Sequence, residues 1–168
     1  MTRIMVFLHG TSLMHRSAGG RTREERVRQI REMDPSTRDF ADYVPVGDVV
    51  RKLRGWSLQG AELIYLTSHR KVEDIEKDKF VMRRYGFPDG PVLYRSGDET
   101  YADIVGRMMP DVYIEDDCES IGGAPEMASP HLPPDRAKRI KVIVVPECGG
   151  IDHLSDSLDE LLESRPAR

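Results

Sequence analysis

Short apolar runs that alternate with segments of helical periodicity constrain the fold of this chain more than any other feature. Each run is typical of a strand that is buried on both faces of a sheet. The runs predict five strands near residues 3–8, 62–67, 91–95, 111–115 and 140–145. Apolar residues recur at helical spacing between them, first at 47–54, where Gly55 indicates the end of the helix. This alternation predicts a three-layer α/β fold, with a mainly parallel sheet and helices on both faces.

The length of 168 residues suits one domain, which we expect to span 1–168. Segment 12–45 is polar and has little of its own to bury, so we expect a small, mobile, cap-like insert. Its arginines are concentrated in one stretch, opposed by Glu24 and Glu25: Arg16, Arg21, Arg23, Arg26, Arg28 and Arg31. Two interpretations stay open, a solvated helix face or a flap that faces a phosphate group.

The overall composition excludes several classes of function. A net charge of −4 disfavours a nucleic-acid-binding surface, because phosphate backbones are bound by clustered lysine and arginine. No apolar run approaches the roughly 20 residues that span a bilayer, so we expect no membrane partner and a cytoplasmic protein. Cys118 and Cys148 lie far apart without metal-ligand spacing, and we expect both to be reduced. The sequence leaves the oligomeric state open.

The residues that directly follow each predicted strand are the candidates for function, since ligands of parallel sheets bind at the carboxyl ends of the strands. These segments are His9-Gly10-Thr11, Thr67-Ser68-His69, Arg95-Ser96-Gly97, Glu115-Asp116-Asp117 and Glu147-Cys148-Gly149-Gly150. The three adjacent acids admit two interpretations. They could hold a hard divalent ion such as Mg²⁺, or they could form a solvated turn.

The order of these strand-end motifs resembles that of the haloacid dehalogenase (HAD) superfamily, from Ile4 to about Leu154. In that family the first strand ends in Asp-x-Asp-Gly-Thr, where the first aspartate is the nucleophile and a metal ligand. The corresponding residues here are Phe7-Leu8-His9-Gly10-Thr11, of which only the last two match. The resemblance implies a Rossmann-like fold of about five strands.

The resemblance also implies a set of site residues. Its second motif, a phosphate-binding hydroxyl, matches Thr67 or Ser68, with Gly10 and Thr11 beside the phosphate. Its fourth motif, the acid pair that holds Mg²⁺, matches Asp116 and Asp117. The lysine of the third motif has no convincing equivalent, although Arg95 could supply the positive charge.

The departure at the first strand decides which chemistry remains open. Phe7 can neither attack phosphorus nor bind Mg²⁺, so the aspartyl-phosphate route is closed in this register. His9 could act as an acid or base, bind a metal or become phosphorylated, because histidine exchanges protons near neutral pH. It could also be merely hydrogen-bonded at the turn.

Two functions therefore stand side by side. One is a divergent metal-dependent phosphohydrolase or phosphotransferase that acts on a small phosphorylated metabolite, with His9 and Asp116 as catalytic residues. The other is a catalytically inactive HAD-like module that binds phosphate or metal.

A remote alternative rests on two His-x-Thr/Ser tripeptides, His9-Gly10-Thr11 and His153-Leu154-Ser155. These resemble the paired motifs of two-histidine phosphoesterases, whose duplicated architecture would require an antiparallel sheet. We expect the other histidines, His15, His69 and His131, to lie at the surface.

Overall fold

The computed structural model describes residues 1–163 as an α/β structure. The strands are β1 Arg3–Phe7, β2 Leu13–His15, β3 Tyr43–Pro45, β4 Glu62–Leu66, β5 Val92–Leu93, β6 Val112–Asp116 and β7 Lys141–Val145. The helices are α1 Arg23–Arg31, α2 Val49–Leu58, α3 Val72–Tyr85, α4 Tyr101–Met108, α5 Pro134–Ala137 and α6 Leu158–Glu163. No helix within this part of the chain has the length and apolar character needed to cross a membrane.

Five of these strands form one sheet in the order β5-β4-β1-β6-β7, and every neighbouring pair is parallel. The predicted α/β class and five-stranded parallel sheet are therefore confirmed. The two-histidine interpretation required a duplicated antiparallel main sheet, whereas the main sheet of residues 1–163 is parallel throughout, so that interpretation is wrong. β5 has only two residues, fewer than the sequence indicated.

The alternation of side chains along β1 divides the core into two layers. Ile4 and Val6 face one layer, where they pack in a cluster with Leu53 and Trp56 of α2. Met5 faces the other layer, whose cluster includes Ile104 and Val105 of α4. Helices therefore cover both faces of the sheet, as the alternating pattern predicted.

Helix α2 continues past the glycine that was expected to end it. The helix includes Gly55 and ends at Leu58, where the prediction ended it at 54. Trp56 is fully buried, and its indole Nε1–H donates to the Ser155 carbonyl at 3.0 Å. A glycine inside a helix costs about 1 kcal/mol, and burial of the tryptophan ring exceeds that cost.

The insert 12–45 is better packed than its composition suggested. Its strands β2 and β3 form an antiparallel ribbon, and α1 begins with a capping box between Thr22 and Glu25. Leu13 and Val27 are buried, so the expectation that this segment buries little was wrong. Leu13 belongs to the larger core cluster, and Met14 and Ala18 of the insert pack with Val46 and Cys148.

Several arginines of the insert attach it to the rest of the protein. Arg23 pairs with Glu119 at 2.8 Å, and Arg26 donates to the Cys148 carbonyl at 3.0 Å. Arg16 pairs with Asp42 inside the insert at 2.6 Å. These three arginines therefore hold contacts within the protein that a purely solvated helix face would lack.

Candidate functional site

A cavity of about 380 Å³ lies at the carboxyl edge of the sheet, beneath the β2–β3 ribbon. Residues that end or follow all five strands of the main sheet contribute to its wall, and ribbon residues such as Met14 and Tyr43 complete it. The predicted site residues in this wall are His9, Gly10, Ser68, Arg95 and Asp116. Glu147, which follows β7, also lines the cavity. Three further predicted site residues, Thr11, Thr67 and Asp117, are not part of the wall.

His9 connects the cavity to a buried carboxylate. Its Nδ1 lies 3.0 Å from the Ser68 hydroxyl, and its Nε2 lies 3.0 Å from Oδ1 of Asp78. The side chain of His9 is 14% exposed, whereas that of Asp78 is 1% exposed. The imidazole ring therefore lies between a hydroxyl in the cavity wall and an acid inside the protein.

Asp78, on α3, receives hydrogen bonds at both carboxylate oxygens. Oδ2 accepts from the Thr67 hydroxyl at 2.6 Å and lies 3.0 Å from Nδ1 of His69. Burial raises the pKa of Asp78, but hydrogen bonds from His69, His9 and Thr67 outweigh it and hold the pKa well below its usual value. Asp78 is therefore ionised at neutral pH.

The charge of Asp78 fixes the tautomer of His9. An ionised carboxylate can only accept hydrogen bonds, so Nε2 of His9 must carry the proton that it shares with Asp78. In neutral His9, Nδ1 is then the unprotonated nitrogen, and it accepts a hydrogen bond from Ser68. The arrangement thus directs a basic nitrogen at a hydroxyl in the cavity wall.

His69 is not the surface residue that the sequence indicated. Its side chain is 11% exposed, and its ring lies 4.1 Å from Phe40 and 4.3 Å from His9 between centroids. Thr67, a predicted phosphate ligand, instead directs its hydroxyl to Asp78. Thr67 and His69, which follow β4, therefore both hold the buried carboxylate of Asp78 in place.

Sequence reasoning missed Asp78, although a signal for it was present. Asp78 lies three residues after Ile75 and three before Val81, which places it in the apolar stripe of α3. All three side chains are buried. A carboxylate in such a stripe requires buried donors, and these are the two histidines and the threonine.

His9, His69 and Asp78 could also hold a metal ion. One ligand atom from each lies within 4.8 Å of the others. Imidazole nitrogen with carboxylate oxygen suits zinc or another transition metal better than Mg²⁺.

The acid pair expected to bind Mg²⁺ is divided between two roles. Asp116 lines the cavity, and burial raises the pKa of its carboxyl group. Asp117 instead accepts the backbone N–H groups of Glu119 and Glu147, each at 3.2 Å. Phe7 lines the cavity where the family has its aspartate, and it packs edge-on against Tyr101. These residues fit a Mg²⁺ site poorly.

The Gly10-Thr11 turn is built around Asp116. The Thr11 hydroxyl donates to Oδ1 of Asp116 at 2.7 Å and is therefore not free for a phosphate group. Gly10 has φ +86°, and a Cβ atom there would lie 3.0 Å from the same oxygen. Glycine is needed at this position both for its conformation and for the space.

Glu147 is a further acid in the cavity, from a strand-end segment that the sequence singled out without assigning this residue a role. Burial raises its pKa to about 7, although the Ser120 hydroxyl donates to Oε1 at 2.9 Å. Its other oxygen, Oε2, is buried and has no hydrogen-bond partner within residues 1–163. The position of Glu147 two residues after β7 was the available signal.

Arg95 supplies positive charge beside Ser68. Its guanidinium lies 4.0 Å from the Tyr101 ring centroid, and Nη2 donates to the Ser68 carbonyl at 3.5 Å. Its Nε is buried and has no acceptor among the described residues. Arg95 therefore keeps one donor without a partner among the described residues.

His153, the second histidine of the two-histidine interpretation, is exposed and does not line this cavity. The fold and the site together define an α/β protein with a parallel main sheet and, at the carboxyl edge of that sheet, a cavity lined by both polar and apolar side chains.

No protein-family model matches the chain, and no curated protein matches it in sequence. Among solved structures, the chain is similar to a haloacid dehalogenase-like family hydrolase, SP0104, from Streptococcus pneumoniae. The two are 14% identical, over 96% of this chain and 90% of the other, with a TM-score of 0.48. A likeness this distant says nothing about the activity of the present chain.

Proposed function

We propose that this chain is a divergent HAD-like phosphohydrolase that acts on a small phosphorylated molecule without an aspartyl-phosphate intermediate. One observation carries the proposal: His9 lies in the cavity wall with Nε2 held 3.0 Å from the buried carboxylate of Asp78. A histidine held in this way can take a proton at Nδ1 and return it to a leaving group. His9 would thus be the general acid and base.

The order of the strands supports binding of a phosphate group at one end of the cavity. β4 and β5 lie on one side of the central β1, and they are followed by Ser68 and Arg95. Arginine is well suited to phosphate oxygens, because its donors form a planar fork. The unpartnered Nε of Arg95 supports this assignment.

The other end of the cavity is acidic and favours a different part of the substrate. β6 and β7 lie on the opposite side of β1; Asp116 ends β6, and Glu147 follows β7. Carboxylates there would repel a phosphate group and accept hydrogen bonds from hydroxyl or ammonium groups. We therefore propose a substrate with phosphate at one end and hydrogen-bond donors at the other.

Hydrolysis of small phosphomonoesters, assayed with and without added Mg²⁺, tests the proposal. We expect wild-type protein to release phosphate, and His9→Gln to lose at least about 100-fold of the rate, the contribution typical of a general acid or base. His153→Gln is the matched control, because this histidine is exposed and outside the cavity. Equal rates in wild type and His9→Gln would contradict the proposed role of His9.

An inactive binding module is the second candidate, and the phenylalanine in place of the nucleophile favours it. If no phosphomonoester is hydrolysed, calorimetry with inorganic phosphate shows whether the protein binds phosphate at all. Binding that is lost in Arg95→Gln would support the module. Phosphate binding without hydrolysis would therefore replace the proposed enzyme by a sensor or scaffold.

A further inference from the structure

We propose that Ser68 is a nucleophile, activated by His9 and positioned through Asp78, and that it replaces the missing aspartate by forming a covalent phosphoserine. This inference rests on the proposed function and names the atom that attacks phosphorus. The arrangement is a hydroxyl, an imidazole and a buried carboxylate, joined by two contacts of 3.0 Å. The three residues come from the ends of two neighbouring strands and from α3.

The direction of the hydrogen bonds is the one that nucleophilic attack requires. Since Asp78 accepts from Nε2 of His9, the free nitrogen of His9 faces the Ser68 hydroxyl and can remove its proton. In serine proteases the two ring nitrogens have the opposite roles, but the logic of hydroxyl, base and orienting acid is the same. Asp78 is a positioning residue, because it acts through His9.

The surroundings of Ser68 also suit attack on an anionic phosphoester. Ser68 is half-buried and lines the cavity, which places the residue next to a ligand bound there. The guanidinium of Arg95 donates to the backbone carbonyl of Ser68, which brings positive charge next to the nucleophile. Thr67, its neighbour, cannot take this role, because it is buried and its hydroxyl donates to Asp78.

The reaction would proceed in two balanced steps. Ser68 Oγ forms a bond to phosphorus while the bond to the leaving oxygen breaks, and the serine proton passes through His9 Nδ1 to that oxygen. Water then attacks the phosphoserine, gives one proton to His9 and displaces Ser68 Oγ, which recovers the proton. The products are an alcohol and inorganic phosphate.

Covalent labelling with diisopropyl fluorophosphate tests this inference on the full chain. Ser68 Oγ would bond to phosphorus, fluoride would leave and the proton would pass to His9. We expect a single adduct in the intact mass, located at Ser68 by peptide mapping. Labelling should be lost in Ser68→Ala and slowed at least about 100-fold in His9→Gln, while Ser57→Ala, on α2 outside the cavity, should react like wild type.

The outcomes separate this inference from the proposed function. Wild-type protein without an adduct at Ser68, or with equal labelling rates in wild type and His9→Gln, overturns the nucleophile. If Ser68→Ala then still hydrolyses p-nitrophenyl phosphate, the hydrolase stands and His9 activates water. A His9-dependent adduct at Ser68 without hydrolysis of any phosphomonoester supports the nucleophile and contradicts the substrate class. Peptide mapping of wild-type protein alone decides whether an adduct forms at Ser68, even if a variant fails to fold.

Discussion

Burial changes the protonation of Glu147 near neutral pH. Its side chain lies in the cavity wall near Asp116 and Asp117, and burial raises its pKa to about 7, with those like charges adding to the effect. A free glutamate ionises near pH 4.3, so the folded state holds a proton that the unfolded chain has already lost. The acidic end of the cavity thus carries a charge that varies around neutrality.

Because Glu147 holds its proton more tightly in the folded state than in the unfolded chain, we predict that the free energy of unfolding falls as pH rises from about 4.3 to about 7. A raised carboxyl pKa contributes stability that is fully present below the unfolded value and is lost as pH approaches about 7. The loss would be on the order of 4 kcal/mol, from about 1.4 kcal/mol per pKa unit. Glu147→Gln should flatten the decline in unfolding free energy between pH 5 and 8, measured by chemical denaturation.

The exposed Glu62 on β4 provides the matched control for this measurement. Glu62→Gln should keep the pH dependence of wild type. A Glu147→Gln variant whose stability declines as steeply as wild type would show that Glu147 ionises normally in the folded protein.

At the level of elements, α3 supplies the buried acid on which the histidines depend. The helix packs an apolar stripe against the sheet, and Asp78 occupies one position of that stripe. His9 follows β1 and His69 follows β4, so two parallel strands direct their histidines at one carboxylate. The helix thereby becomes part of the site without contributing a residue to the cavity wall.

Removal of the Asp78 charge should therefore destabilise the fold as well as the site. In Asp78→Asn, one amide N–H₂ group would face a histidine N–H donor, and a buried donor would lose its acceptor. We expect a loss of about 1–3 kcal/mol in the free energy of unfolding. Glu76→Gln, an exposed carboxylate-to-amide change on the same helix, should stay within about 0.5 kcal/mol of wild type. Equal effects of the two changes would contradict the buried ionic role.

For the whole molecule, the sequence was sufficient to predict the sheet and the edge at which the cavity lies. An apolar run predicts a strand because strands buried on both faces are apolar along their whole length. Parallel strands end at the same edge of the sheet, so the residues that follow them lie close together. The sequence placed His9, Ser68 and Asp116 after these strands, and the structure brings them to one cavity. The local sequence pattern was enough to predict these positions, because each depends only on where one strand ends.

Features that depend on contacts between distant segments could not be predicted in this way. The role of Asp117 depends on backbone N–H groups that follow β6 and β7, and Thr67 is withdrawn from the cavity by α3. The packing of insert 12–45 depends on arginines that reach residues about a hundred positions away. Neither composition nor periodicity carries information on such partners.

The tautomer of His9 tests the central claim most directly, because the proposed chemistry requires a basic Nδ1 in the cavity and a protonated Nε2 at Asp78. Long-range ¹H–¹⁵N correlation spectra of the histidine rings, assigned with His9→Gln, report which nitrogen carries the proton. At a pH where His9 is neutral, we predict the Nε2–H tautomer, and we predict that Asp78→Asn weakens this preference. A neutral His9 with its proton on Nδ1 would contradict the account, since no free nitrogen would then face Ser68.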